Sequence, residues 1–160
     1  MDAKSWITKL GLSPHLEGGY YKETFRDQKE FNGRSVSTAI FFLLESGDKS
    51  QLHKIDAAEV WHFYDGGSLQ IVELDEQGNP QVTLLGKDIG KGEVLQYAVV
   101  PGRWFGAEPA PGTEYALVGC TVSPGFTFET FERGQREALL KEFPQAKDWI
   151  VRLTYADQLN

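Results

Sequence analysis

The most informative segment of the chain is Gly47-Asp-Lys-Ser-Gln-Leu-His-Lys-Ile-Asp-Ala-Ala-Glu-Val-Trp-His-Phe-Tyr-Asp-Gly66. Apolar and polar residues alternate in its second half, which predicts a strand because successive side chains point to opposite faces of a sheet. Glu59, Trp61 and Phe63 then share one face, and His62 lies on the other. A glutamate among large hydrophobic side chains needs a hydrogen-bond partner or solvent, so Glu59 is a candidate functional residue.

Short strand-like runs extend on both sides of this stretch, from about residue 20 to about residue 122. They are rich in Val, Ile, Thr and aromatic residues, and turn signals separate them about every ten residues. Four of these runs cover residues 37–44, 68–74, 81–85 and 95–100. A hairpin is expected at residues 76–80, because Gly78 and Asn79 accept a positive φ and Pro80 is excluded from a central strand position. This spacing is typical of an all-β sandwich or barrel.

Helices are expected on both sides of the β region. Asp2 can cap a first helix, which Gly11 ends. Residues 129–143 carry apolar side chains at helical spacing, and Pro144 can begin a further helix. The predicted organisation is a single domain over residues 1–160, with a β-barrel core over about 20–122 and a helical C-terminal segment over about 129–153.

Composition and charge exclude several classes of protein. Hydrophobic residues make up 41% of the 160 residues and charged residues 24%, which is typical of a folded domain rather than a disordered chain. Sixteen Lys and Arg against 23 Asp and Glu give a net charge of −7, and such a surface repels phosphate backbones and anionic membranes. Neither nucleic acid nor a membrane is therefore expected as a partner.

The single cysteine and the N-terminus bear on where the protein works. Cys120 lies in an apolar, strand-like run, so it can form no disulfide within the chain and is expected to be buried by packing. The first residues lack the basic and apolar regions of a signal peptide. We therefore expect a cytoplasmic protein.

The quoted stretch resembles the first motif of the cupin family, G-x5-H-x-H-x3-4-E-x6-G, which brings two His and one Glu together on a metal ion. Gly47, His53, Glu59 and Gly66 occupy the matching positions, but Ile55 stands where the second His is expected. The second cupin motif is poorly matched, with Arg103 in place of a Gly and Gly106 in place of the third His. Two of the four metal ligands are therefore missing, and a metal, if bound, should be held weakly because most sites need three or more protein ligands.

The similarity extends over most of the chain, from about Trp6 to Glu132. Its segments are Glu17-Gly-Gly-Tyr20, Ser50-x-x-His53, Asp56-x-x-Glu59-Val-Trp-His62-Phe-Tyr, Gln96 before Val99-Val-Pro101, and Cys120-Thr-Val-x-Pro-Gly-Phe126. Together they resemble the cupin subgroup catalogued as a domain of unknown function. The resemblance implies a cupin-type double-stranded β-helix, or jelly roll, that commonly forms a homodimer, and residues 20–25 could add a strand across the dimer interface. It implies no particular reaction, because cupins include isomerases, epimerases, dioxygenases and binding proteins.

The resemblance also suggests which side chains line the barrel. His53 and Glu59 are the candidate catalytic and ligand-binding residues. Trp61, Gln96 and Trp104 are candidate ligand-binding residues, since small-ligand pockets combine aromatic walls with few polar groups. His53 would form part of a cavity wall, so its replacement should cost little stability. His15, in the loop after Pro14, is expected to be exposed.

Three functions remain open on the sequence. The first is a metal-independent isomerase or epimerase that binds a small polar ligand, such as a sugar or nucleotide-sugar, with His53 as general base and Tyr20 or Tyr21 as acid. The second is a metal-dependent isomerase or dioxygenase with His53, Glu59 and His62 as ligands, which needs a bulge to turn His62 inward. The third is a small-molecule-binding protein without enzymatic activity.

Overall fold

The structure, a computed structural model, describes residues 1–156, and the β-strands dominate it. Their bounds are β1 (Ser13–Pro14), β2 (Tyr20–Arg26), β3 (Glu30–Phe31), β4 (Arg34–Ser35), β5 (Thr38–Glu45), β6 (Ser50–Lys54), β7 (Ala58–Gly66), β8 (Leu69–Leu74), β9 (Pro80–Leu85), β10 (Gln96–Val99), β11 (Trp104–Pro109), β12 (Tyr115–Ser123) and β13 (Glu132–Arg133). The helices are α1 (Ala3–Leu10), α2 (Arg136–Glu142) and α3 (Lys147–Arg152).

The strands form two antiparallel sheets that enclose one core. The first sheet has the order β1-β2-β5-β12-β7-β10 and the second has the order β13-β6-β11-β8-β9, with β3 and β4 as a separate hairpin. Phe42, Trp61 and Cys120 from the first sheet are buried in the same cluster as Ile71 and Phe105 from the second. The two sheets therefore pack face to face as a jelly roll, as expected.

The alternation read from the sequence of β7 is correct. In the first sheet, Glu59 lies opposite Val122 and Trp61 lies opposite Cys120 on the central strand β12. Trp61 is 1% exposed and Glu59 is 9% exposed, so both side chains point into the barrel. The bulge that interrupts the β7–β12 register comes only after Phe63, opposite Leu117 and Val118. It therefore leaves His62 on the outer face.

Most of the predicted turns and helix ends are confirmed. Asp2 caps α1 by accepting a hydrogen bond from the amide of Ser5, and Gly11 ends that helix in the left-handed conformation. The β8–β9 hairpin turns at Gly78, whose φ is +82°. No helix within residues 1–156 combines the length and apolar character needed to cross a membrane.

The helix predicted from residue 129 begins later than expected. Residues 128–130 form a short 3-10 turn, and residues 132–133 form β13, which pairs with β6. Only from Arg136 does the chain become α-helical. The backbone hydrogen bonds available along the edge of β6 outweigh the helical spacing of the apolar residues in this segment.

The C-terminal helices build a second core on the outside of the barrel. Leu139, Ile150 and Leu153 from this region pack with Leu52 of β6 and Val72 of β8. Strands β6, β11 and β8 of the second sheet are therefore buried on both faces, one against the barrel interior and the other against α2 and α3.

Candidate functional site

A cavity of about 310 Å3 opens between the two sheets of the barrel. Much of its wall is apolar and includes the residues Tyr21, Ile40, Phe42, Trp61, Val122, Phe126 and Phe131. Glu17, His53 and Glu59 contribute the buried ionisable groups. The exposed side chains of Leu16 and Phe128 also border the cavity, so part of its rim faces solvent.

A tight turn between β1 and β2 carries Glu17 into this cavity. Gly18 and Gly19 both have positive φ, +109° and +73°. A Cβ on Gly18 would lie 2.1 Å from the carbonyl oxygen of Lys49, and a Cβ on Gly19 would lie 2.6 Å from that of Leu43. Only glycine fits both positions, because the turn is left-handed and pressed against the sheet. The turn places Glu17 in the barrel, where the residue is only 2% exposed.

One ring nitrogen of His53, on β6, contacts other groups of the protein. Its Nδ1 lies 2.7 Å from the carbonyl oxygen of Gln51 and 3.1 Å from Oε2 of Glu17. A carbonyl oxygen can only accept, so Nδ1 must carry a proton and donate it. The ring lies between Phe105 and Phe131, with centroids 4.2 Å and 5.3 Å away. In the neutral ring, Nε2 is then the nitrogen able to accept a proton from a ligand.

Glu59 lies deeper in the barrel, next to the thiol of Cys120. The thiol donates a hydrogen bond to the Glu59 carboxyl group, and burial raises the pKa of Cys120 well above its ordinary value. Cys120 is therefore a neutral thiol and a poor nucleophile at physiological pH, in agreement with its predicted role in packing.

Burial sets the protonation states of the site. It raises the pKa of Glu17 to about 8, against the opposing charge of Arg133 and with a smaller contribution from Glu59. It also raises the pKa of Glu59 to about 8, although the hydrogen bond from Cys120 opposes the rise. The pKa of His53 falls to about 4 for the same reason, in spite of its hydrogen bond to Gln51. At neutral pH, the carboxyl groups carry protons and the imidazole is uncharged.

Three buried polar atoms, all on residues that line the cavity, lack a hydrogen-bond partner within residues 1–156. They are Oε1 of Glu17, Oε2 of Glu59 and Nε1 of Trp61. A buried polar atom without a partner costs roughly 1–3 kcal/mol, so proteins keep few of them without reason. Three such atoms around one cavity are most simply explained by a bound molecule or by water that completes their hydrogen bonds.

The residues present do not fit the metal site of the cupin motif. Within the described part of the chain, no group of three or more His, Cys, Asp and Glu side chains is arranged to hold a metal ion. Nδ1 of His53 already donates to a carbonyl oxygen, and Ile55 is a buried core residue. A Cβ on Gly106 would lie 2.7 Å from the carbonyl oxygen of Ser50, so the backbone of β6 fills the place of a third His.

His62, the third ligand in the metal-dependent alternative, lies on the outer face of the first sheet. Its Nε2 is 3.1 Å from the hydroxyl of Thr121, and its Nδ1 is 3.0 Å from the side-chain amide of Gln96. A ligand set of His53, Glu59 and His62 would need side chains from both faces of β7, and the structure does not provide it.

Gln96 and Trp104 lie outside the cavity, contrary to the sequence-based expectation. Gln96 is exposed and pairs with His62 across the β7–β10 ladder, so the two side chains share the outer face. Trp104 faces the C-terminal helices, where it packs on the second core beneath the ammonium group of Lys54. Its neighbour Phe105 points into the barrel instead, because alternate residues of β11 serve the two cores.

His15 was expected to be exposed, but it is half-buried and lines the cavity. Its ring packs edge-on against Tyr21 with centroids 4.6 Å apart, and its Nδ1 accepts a hydrogen bond from the amide of Glu17. Burial lowers the pKa of His15 to about 4, so this ring is also neutral. Glu17 itself was not proposed as a site residue, although the Gly-Gly pair after it signals a turn that holds a side chain in a fixed place.

Comparison with known proteins places the chain in a family. Residues 4–133 match the sequence profile described as the Cupin superfamily (DUF985). The chain belongs to the DUF985 group of the cupin superfamily. Oxalate decarboxylase from Bacillus subtilis, 18% identical with a TM-score of 0.59, matches 92% of this cupin and 39% of its own chain, which supports the fold alone.

Three relatives are much more similar to this cupin. Protein SO0799 from Shewanella oneidensis is 37% identical with a TM-score of 0.94, and the match covers 98% of this chain and 99% of that one. A hypothetical protein from Leishmania major is 32% identical with a TM-score of 0.92, covering 97% and 99%. The uncharacterized protein YML079W from Saccharomyces cerevisiae is 34% identical over 153 residues, covering 82% of this chain and 75% of its own.

Proposed function

We propose that this protein binds a small polar organic molecule inside its barrel, with Glu17, His53 and Glu59 recognising the polar groups of that molecule. The observation that carries the proposal is the set of three unpartnered polar atoms, on Glu17, Glu59 and Trp61, around one cavity. Trp61 Nε1–H is a donor, whereas a carboxyl oxygen accepts, or donates when protonated. A ligand with both donors and acceptors would satisfy all three.

The size of the cavity limits the ligand. Its volume of about 310 Å3 lies at the lower end of the range of roughly 300–1,000 Å3 typical of small-molecule sites. A monosaccharide-sized molecule is therefore favoured over a complete nucleotide-sugar, whose phosphates would also meet the carboxyl groups of Glu17 and Glu59. Arg26, the basic side chain of the lining, is already paired with Glu23 through two hydrogen bonds of 2.9 Å.

A thermal-shift screen of small metabolites against a cavity-blocked variant tests this function. In Val122→Phe, the larger ring projects into the cavity beside Glu59, whereas Val82→Phe adds the same ring to an exposed site on β9. Compounds that bind should raise the melting temperature of the wild type and of Val82→Phe, but not that of Val122→Phe. Binders that stabilise all three proteins equally, or the absence of any binder, would contradict the proposal.

Acid–base catalysis, as in a metal-independent isomerase or epimerase, is the second candidate function. The observation that favours it is a neutral imidazole and two protonated carboxyl groups in one cavity. The imidazole can remove a proton from a carbon atom of the substrate, and a protonated carboxyl group can return another. Nε2 of His53 would be the base, and Glu59 the acid. Tyr21 also lines the cavity, whereas Tyr20 packs with α1 on the outside.

Deuterium exchange tests the catalytic candidate directly. A carbon-bound hydrogen of a bound sugar or keto acid should exchange with solvent D2O in the presence of the wild-type protein, since the base must remove it. The exchange should be lost in His53→Gln. Exchange at an unchanged rate in that variant would show that His53 is not the base.

A homodimer and a cytoplasmic location are also proposed. Beyond Tyr21, β2 has no neighbour on its outer edge within the described residues, because β1 pairs only with Tyr20 and Tyr21. Phe25, which lies on β2, is 51% exposed, and this supports coverage of the edge by a second copy. The single buried cysteine supports the reducing environment of the cytoplasm.

A further inference from the structure

We infer that the molecule bound in the cavity carries an ammonium group, which Glu17 and Glu59 bind as carboxylates. This inference rests on the proposed function and specifies the chemical class of the ligand. It stands on the geometry of the cavity. Among residues 1–156, two buried carboxyl groups have unpartnered oxygens, the lining has no free basic side chain, and much of the wall is aromatic.

Neither carboxyl group forms an ion pair with a Lys or Arg side chain among the described residues, although the charge of Arg133 acts on Glu17. Glu17 and Glu59 are 2% and 9% exposed, and each has an oxygen atom without a hydrogen-bond partner among the described residues. Among the described residues that line the cavity, Arg26 is the one with a permanently charged basic side chain. It donates hydrogen bonds to both carboxyl oxygens of Glu23 and to the carbonyl oxygen of Phe126. A buried carboxylate is stable only when paired, so the cation that would complete this site has to come from the ligand.

The rest of the wall suits an organic cation better than an anion. Tyr21, Phe42, Trp61, Phe126 and Phe131 present aromatic rings to the cavity. The faces of aromatic rings attract ammonium groups and pack against the carbon atoms beside them. A carboxylate or phosphate ligand would face Glu17 and Glu59 with no free Arg or Lys in the described lining to offset the repulsion.

The inference gives the binding a defined pH dependence. The titratable or charged side chains in or beside the cavity, besides the two carboxyl groups, are His15, Tyr21, Glu23, Arg26, His53, Cys120 and Arg133. Burial holds the pKa of both histidines near 4 and keeps the thiol protonated, and Arg26 and Glu23 already neutralise each other. Near pH 8, the groups that change charge are therefore Glu17 and Glu59.

An ammonium ligand needs at least one ionised carboxyl group, so its binding at pH 7 should release one to two protons. Its affinity should rise between pH 6.5 and about 8 by up to about tenfold per pH unit for each carboxyl group that ionises, as long as the amine keeps its proton. A neutral ligand held by a protonated carboxyl group should instead bind more weakly as the pH rises. The sign of the pH dependence therefore separates the two classes of ligand.

Calorimetry with matched pairs of compounds tests the inference. The pairs are benzylamine with benzyl alcohol, and 1-amino-1-deoxysorbitol with sorbitol, so the two arms distinguish an aromatic amine from an amino sugar alcohol. In at least one pair, the amine should bind at least about tenfold more tightly than the alcohol at pH 8. Titrations in buffers of different ionisation enthalpy should show proton release at pH 7.

Three variants localise the effect. Glu17→Gln and Glu59→Gln keep the shape of the side chain but remove the charge, and each should weaken the binding of the amine by at least about tenfold. Glu73→Gln is the matched control, because Glu73 is also 9% exposed but lies outside the cavity and accepts a hydrogen bond from Tyr97. Its affinity for the amine should equal that of the wild type.

The possible failures are distinguishable. If the alcohols bind as tightly as the amines, or affinity for the amines falls as the pH rises, the inference is wrong and the proposed function stands. If the metabolite screen finds cavity binders and none is a cation, the same conclusion holds. If neither the screen nor the four compounds gives binding that Val122→Phe removes, both the inference and the proposed function are wrong.

Discussion

Glu59 shows how the position of one residue changes its chemistry. An exposed glutamate is ionised at neutral pH, but inside the barrel the charged form loses its hydration and its pKa rises to about 8. His53 shifts the other way for the same reason, and its pKa falls to about 4. Burial among aromatic side chains therefore turns an acid and a base of opposite charge into two neutral hydrogen-bonding groups.

These shifts make stability depend on pH with a defined sign. Glu17 and Glu59 bind protons more tightly in the native than in the unfolded chain, so their contribution to the free energy of unfolding falls as pH rises from about 4.5 to 8. His15 and His53 contribute the opposite slope between about pH 4 and 6.5. Above pH 6.5 the histidines no longer titrate, so only the two carboxyl groups change the free energy of unfolding.

The free energy of unfolding of the wild type should therefore fall between pH 6.5 and 8, by up to about 2 kcal/mol per carboxyl group. In Glu59→Gln, the fall should be clearly smaller, since one of the two titrating groups is gone. Urea unfolding at several pH values in this window measures the difference. Equal slopes in the wild type and in Glu59→Gln would contradict the assigned burial effects.

His53→Ala should lower the free energy of unfolding more than the sequence analysis predicted, because His53 is more than part of a cavity wall. The ring packs between Phe105 and Phe131, and its removal leaves the carbonyl oxygen of Gln51 without its partner. We expect a loss of about 1–3 kcal/mol in the free energy of unfolding together with weaker ligand binding. His62→Ala, on the half-buried outer face, should cost less, and a larger loss for that variant would contradict the assignment.

The sequence predicted the inward residues of β7 well and those of β10 and β11 poorly. The strict alternation around Glu59 and Trp61 was sufficient, because β7 has one inner and one outer face. Trp104 was misplaced because β11 is buried on both faces, and nothing in its local pattern shows which apolar face meets the barrel. Glu17 was missed because a turn, not a strand, brings it into the cavity, and turn residues follow no periodicity.

At the scale of secondary-structure elements, the contact between β6 and β11 shapes the site. The register shifts between the pairs Phe105–His53 and Ala107–Ser50, so β6 has one extra residue opposite Gly106. Such a bulge redirects side chains at the edge of a site. Here it brings the β6 backbone into the space where a side chain on residue 106 would lie.

Gly106→Ala should therefore destabilise the fold. The new methyl group would lie 2.7 Å from the carbonyl oxygen of Ser50 and 3.2 Å from the amide nitrogen of Leu52, which forces a shift in one of the two strands. We expect a loss of about 1–3 kcal/mol in a denaturant titration. Gly90→Ala is the control, because its nearest atom is a side-chain oxygen of Asp88 at 3.5 Å. Equal stability of both variants would contradict the close approach.

The ends of the elements follow local and long-range signals to different degrees. The cap of α1 at Asp2 and the hairpin at Gly78 depend on neighbouring residues, so the sequence alone predicted them. The start of α2 depends on pairing between β13 and β6, which are far apart in the chain. Helical periodicity over residues 129–143 could not reveal this competition.

At the scale of the whole molecule, the exposed edge of β2 predicts association. Sedimentation equilibrium at micromolar concentration should give twice the mass of the chain. Phe25→Glu places a charge on an aromatic side chain of β2 itself that is 51% exposed, and it should shift the protein towards the monomer. Val82→Glu, on the edge strand of the other sheet, should leave the mass unchanged. A wild-type protein with the mass of one chain would contradict the dimer.

The proposed binding of a ligand requires that the two buried carboxyl groups of the barrel are protonated at neutral pH and open to the cavity. Carbon-13 NMR of the glutamate side chains tests it most directly, because each carboxyl resonance reports its own titration. The expected result is two resonances that titrate near pH 8, one lost in Glu17→Gln and the other in Glu59→Gln. If both groups titrate near pH 4.5, as glutamates in water do, the proposal is contradicted.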